Sequence, residues 1–203
     1  MIDWEALARA PDPAALRVEV QRTVARVRAS VIDLRRLLDW AETRPFVDTT
    51  RMAMVGFSES TLQVAALMAS DARLAAAVLV MGGAHPHQIF ATCYGPPAVV
   101  REAVLPRFGW TAQEFADTLA PLVRSIDPAH LGSRLSPEHV LLFDAEYDDC
   151  VPRTARDALW NATGRPARVS VLSSHAGSFL AMTFLGGNHI RHRIVEFFGR
   201  ALQ

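Results

Sequence analysis

The sequence predicts an α/β protein built on a parallel sheet. Three observations carry this. Short apolar runs of five to seven residues recur along the chain. Segments with helical spacing separate them, and turn-forming residues close them. A serine stands at the junction of the first such run and the helix after it.

The first long element is helical. Asp12 can cap it and Pro13 suits its first position. Leu16, Val20, Val24, Val27, Val31, Leu34 and Leu38 then recur at steps of three or four, a single apolar stripe. Arg44-Pro45 ends it. Arg51–Phe57 is too short for a buried helix and reads as a buried strand. Ser58–Ser70 reads as a helix of small residues. Ala75–Met81 is a second buried strand, closed by Gly82-Gly83. His139–Ala145 and Arg168–Leu172 read as the third and fourth strands. Helices fit Pro152–Thr163 and Asn188–Leu202.

The segment 84–137 breaks the rhythm and is too long for a loop. Thr111 with Glu114 forms a capping box opening a helix toward Phe115, Leu119 and Leu122, which Pro121 kinks or divides. The segment reads as a helical, cap-like insertion at the carboxyl ends of the strands, where open α/β sheets bind ligands. Residues 1–203 are read as one domain.

Composition narrows the function. The 203 residues are 50% hydrophobic and 21% charged, with 21 basic and 21 acidic side chains. Mean hydropathy is +0.13 and the pI about 7.1. This is a chain able to bury a core. Balanced charge offers no field for nucleic acid or an anionic membrane. Met1–Ala10 does not resemble a signal peptide and no apolar run is long enough to span a bilayer. The expectation is a soluble cytoplasmic protein whose Cys93 and Cys150 are free thiols, with Cys150 buried and structural.

The strongest chemical signal is Gly56-Phe57-Ser58-Glu59-Ser60. A serine on a sharp strand-to-helix turn exposes its hydroxyl above the sheet, and small residues on either side let strand and helix approach. The Glu59 backbone N–H would face a developing oxyanion. A plain helix cap is the competing reading for Ser58. A nucleophilic serine needs a base and a group that orients it. The third strand runs into Asp144-Ala145-Glu146-Tyr147-Asp148-Asp149-Cys150-Val151-Pro152. Asp148 is the assigned acid and Asp149 the alternative. The fourth strand runs into Ser173-Ser174-His175-Ala176-Gly177-Ser178, a small-residue loop that carries the base, His175. His189 is a second choice. Nucleophile, acid and base thus follow one another at successive strand ends.

With these residues in view, the chain resembles the α/β-hydrolase superfamily, in particular its bacterial esterase, dienelactone-hydrolase-like and prolyl-oligopeptidase-like branches. Trp40–Asp48 leading into Arg51–Ser60 looks like the helix, turn and nucleophile elbow of that group. Ser70–Val78 looks like the next strand entry, and Val140–Pro152 and Val171–Ser178 like the acid and histidine loops. The resemblance runs from about Val27 to the end of the chain and is least specific in the insertion. It implies a partial α/β-hydrolase fold of about four parallel strands, with Ser58, Asp148 and His175 as nucleophile, acid and base. It implies hydrolysis of a carboxylic ester or related acyl substrate with no cofactor. A non-catalytic scaffold, and an acyltransferase or peptidase using the same three residues, are the alternatives.

Two departures bear on activity. Ser60 stands where a second glycine is usual. No strand precedes Arg51, so the superfamily's N-terminal strands, and the loop that supplies a second oxyanion donor, have no counterpart. Activity is then expected to be weak. The open edge of strand 51–57 is expected to pair with a second copy or a complementing chain.

Other candidates are weaker. His85 and His87 lack a third ligand or an acid near them in sequence and do not make a metal site. Phe90, Tyr94, Trp110 and Phe115 either line an acyl pocket or pack the insertion, and packing is favoured. No nucleotide-binding motif is present.

Overall fold

In a computed structural model, the chain describes residues 2–131, 135–183 and 188–203. Residues 132–134, inside the 84–137 segment, lie outside the described residues. The elements run α1 (Trp4–Ala8), α2 (Pro13–Glu42), β1 (Met52–Phe57), α3 (Ser60–Ser70), β2 (Leu74–Val80), α4 (Pro86–Thr92), α5 (Pro96–Phe108), α6 (Ala112–Val123), β3 (Val140–Ala145), α7 (Arg153–Ala162), β4 (Ala167–Val171), α8 (His175–Thr183) and α9 (Asn188–Ala201). Short 3-10 turns at Arg124–Ile126, Pro128–His130 and Pro137–His139 join α6 to β3.

The four strands are parallel and lie in the order β1-β2-β3-β4. Side-chain alternation assigns the sheet's two faces. Ala77 and Leu79 of β2 pack with Val64 and Leu67 of α3 and Leu159 of α7. Ala76, Val78 and Val80 pack with Ile190, Ile194 and Phe197 of α9. The result is a helix–sheet–helix sandwich.

A third cluster lies off the sheet. Leu16, Val20, Val24 and Val27 of α2 meet Val100 and Val104 of α5 and Phe115, Leu119 and Val123 of α6. The C-terminal part of α2, through Leu38 with Val31 and Leu34, packs on the sheet cluster instead. At about 1.5 Å per residue a helix of 30 residues spans about 45 Å, so one element serves both cores.

Three expectations are corrected. Pro121 does not divide α6, which runs on to Val123; the proline takes only its own N–H out of the ladder, and the helix ends two residues later. β1 is not buried on both faces: Val55 is 40% exposed, because β1 is an edge strand with no neighbour beyond it among the described residues. His175 does not sit in a loop but opens α8. The helices α1, α4, α5 and α8 carry too little periodicity to be read from sequence; α5 holds Pro96, Pro97 and Pro106.

Candidate active site

Ser58 follows β1 with φ of +52°, in the left-handed region that non-glycine residues rarely enter. Such a conformation costs about 1–3 kcal/mol and persists only when its surroundings hold it. Here the Ser58 N–H donates to the Val80 carbonyl at 2.8 Å. The Ser58 carbonyl accepts from the Thr61 N–H at 3.0 Å and the Thr61 hydroxyl at 2.6 Å. The turn is pinned from both sides.

Its neighbours explain the close approach of β1 and α3. A Cβ on Gly56 would lie 2.9 Å from the Ser60 carbonyl oxygen and 3.0 Å from Val64 Cγ2. Ser60 does what glycine could not: its Oγ accepts the Phe57 N–H at 2.6 Å and lies 2.8 Å from the Phe57 carbonyl. It thereby satisfies backbone groups at the open end of β1. Ser58 is not a helix cap. The residue at the cap of α3 is Glu59, and the Ser58 hydroxyl points elsewhere.

That hydroxyl lies 2.9 Å from His175 Nε2, and His175 Nδ1 lies 2.9 Å from Asp148 Oδ2. An ionised carboxylate only accepts, so Nδ1 carries the proton and Nε2 is left to accept from Ser58. The Asp148 side chain is fully enclosed. Its other oxygen accepts the N–H groups of Cys150 at 2.9 Å and Val151 at 2.7 Å. The acid loop is tied to the histidine loop by Glu146 N–H to Val171 O and Tyr147 N–H to Ser173 O. The Phe57 ring sits 5.9 Å from the His175 imidazole and restrains it.

These groups open onto a cavity of about 300 Å³. Ser58, Glu59 and His175 form its polar wall, with Leu62, Ile89 and Phe90 among its apolar residues. Burial pushes the Glu59 carboxyl above its ordinary value. No acceptor within the described chain takes the Glu59 N–H.

The cysteines correct the sequence reading. Cys93 and Cys150 are joined in a disulfide, not free. They lie 57 residues apart in sequence, and spacing alone gives no sign that α4 folds back onto the acid loop. The bond flanks the cavity and ties the insertion to the loop that carries Asp148. Such bonds persist in oxidising surroundings. Among the described residues no helix is long and apolar enough to cross a membrane.

The remaining candidates divide. Asp149 is exposed and faces Tyr94, whose hydroxyl burial, then Asp149, pushes up. His189 is exposed at the start of α9. Phe90 and Tyr94 line the cavity, Phe90 also packing edge-on against Trp4. Phe115 is buried in the cap core, and Trp110 packs on Phe108. Sequence reading missed Ile2 and Trp4, which also line the cavity, because a five-residue helix leaves no periodicity to read.

No family model matches the sequence, and no curated protein is significantly similar to it. Solved structures are similar. The α/β hydrolase GrgF from Penicillium sp. sh18 is 18% identical, covering 87% of this chain and 72% of its own, with a TM-score of 0.57. An acetyl xylan esterase from Paenibacillus sp. R4 is also 18% identical, covering 82% and 51%, with a TM-score of 0.62. The acylaminoacyl peptidase of Pyrococcus horikoshii is 14% identical, covering 81% of this chain but 26% of its own, with a TM-score of 0.59. With a parallel sheet, flanking helices on both faces and a serine turn after β1, the chain has a partial form of the α/β-hydrolase fold.

Proposed function

We propose that this chain is a serine hydrolase of carboxylic esters or related acyl compounds. One observation carries the reading: the unbroken line from Ser58 Oγ through the His175 imidazole to the enclosed Asp148 carboxylate, at the wall of an apolar cavity. Solved structures of the same fold include an esterase, an enol-lactonase and a peptidase, and their chemistry supports the same class here.

Ser58 Oγ attacks the acyl carbon as its proton passes to His175 Nε2. Asp148 keeps Nδ1 protonated and stabilises the imidazolium. The carbonyl oxygen takes up negative charge and is met by the Glu59 N–H. The tetrahedral intermediate collapses, and His175 gives its proton to the leaving alcohol. Water then adds to the acyl-enzyme with His175 as base, releasing the acid and restoring Ser58. Removing one oxyanion donor costs about 10²–10³ in rate, which sets the scale of the contribution expected from the Glu59 N–H.

The test is labelling with a fluorophosphonate, followed by peptide mapping, alongside turnover of short p-nitrophenyl esters. The label is expected on Ser58, with turnover lost in Ser58→Ala and the unfolding midpoint nearly unchanged. Equal turnover in wild type and variant would overturn the reading. Labelling of Ser58 without ester turnover would favour acyl transfer or peptide hydrolysis. Absence of both would leave a non-catalytic scaffold.

A further inference from the structure

His85 ends the turn from β2 into α4 and His87 lies in the first turn of α4, and nothing in the sequence around them supplies a third ligand. The fold supplies it from 40 residues further on. Asp127, at the end of the insertion, is 3% exposed, and its carboxylate reaches back to this turn. Its Oδ1 accepts the His85 N–H at 2.9 Å, and its Oδ2 lies 3.3 Å from His85 Nδ1. His85 is held in the left-handed region, with φ of +56°. The two imidazoles face each other with centroids 5.6 Å apart. One candidate ligand atom from each of the three residues lies within 4.8 Å of the other two.

The hydrogen bonding of this cluster is incomplete. His87 Nδ1 is buried and has no partner, which is costly for a polar atom. Asp127 is committed on one oxygen, where Oδ1 also takes the Ala129 N–H at 2.9 Å, and is freer on the other. A buried carboxylate beside two imidazoles, one of them with an unpaired nitrogen, offers oxygen and nitrogen donors to a cation.

We propose that His85, His87 and Asp127 bind a first-row divalent cation, with Zn²⁺ the best fit. Two imidazoles and one carboxylate are a donor set this ion takes, with water in the fourth position. Bond lengths near 2.0–2.1 Å place tetrahedral ligands about 3.4 Å apart, so the side chains close by about an ångström on binding. Metal ligation needs neutral imidazole. Neither histidine borders the cavity beside Ser58. The ion would act as a clamp, fastening the β2–α4 turn to the far end of the insertion.

The experiment uses the full chain, stripped with chelator and titrated with ZnCl₂ by calorimetry, with thermal unfolding in parallel. One equivalent is expected to bind and to raise the unfolding midpoint. His87→Ala removes a side chain whose buried Nδ1 has no partner in the fold, and is expected to weaken binding at least tenfold and to abolish the thermal shift. His192→Ala, at an exposed position of α9, controls for surface binding and is expected to change neither. No binding by the wild type would overturn the site. So would binding that His87→Ala leaves intact, or that His175→Ala or His192→Ala alone removes.

Discussion

Ser58 owes its position to residues that contribute no chemistry. Gly56 lets α3 start against β1, and Thr61 holds the Ser58 carbonyl. A methyl group on Gly56 would meet backbone at 2.9 Å, which no rotamer change relieves. Gly56→Ala is therefore expected to cost about 1–3 kcal/mol, the range for overpacking a filled core. Ester turnover should fall with it, because the Ser58 turn must shift. Chemical denaturation checks the first outcome and p-nitrophenyl ester kinetics the second. Ser60 stands where a second glycine is usual in the fold that the chain resembles. Its hydroxyl instead satisfies backbone at the end of β1, a role that no local pattern announces.

At the scale of elements, an ion-pair cluster around Asp71 and Arg73 joins the apolar packing that holds the long helix to the sheet. Asp71, in the turn from α3 to β2, has a side chain only 5% exposed. It accepts from Arg73 through both oxygens and from Arg35 of α2 at 3.2 Å. Arg73 in turn reaches Asp39 at 2.7 Å and Glu42 at 3.0 Å on α2. The Arg73 guanidinium holds the Asp71 carboxyl well below its ordinary value of 3.8. A carboxyl so lowered stabilises the fold above its unfolded value, and that contribution is lost as pH falls below it. Asp71→Asn is expected to cost about 2 kcal/mol at pH 7. This is less than the 3–5 kcal/mol of a wholly buried pair, because Arg35 is half exposed. The gap between wild type and variant should narrow as pH drops below 3.8 toward strong acid, read by denaturation at each pH. A gap independent of pH would assign the effect to packing. Strands and long helices were legible because period and length suffice to read them. Short helices such as α4 and α8 were not, since seven and nine residues leave too few turns for a period to show.

For the whole molecule, the open edge of β1 sets the main expectation. The outer side of β1 has no strand partner among the described residues, and Val55 and Leu37 are exposed beside it. Two copies pairing β1 to β1 about a twofold axis would satisfy the remaining backbone groups and cover these side chains. Light scattering across a dilution series is expected to show a dimer that dissociates on dilution, with specific activity falling in parallel. A monomer of undiminished activity at every concentration would reject both. The sequence by itself determined the α/β class, the four strands and the strand-end positions of Ser58, Asp148 and His175. Those follow from local periodicity, and in a parallel sheet every strand's carboxyl end lies on one edge. Only the tertiary structure decided that Cys93 meets Cys150, that Asp127 reaches His85 and His87, and that one helix serves two cores. These contacts join residues tens of positions apart, and packing of the insertion onto the sheet, not local spacing, brings them together.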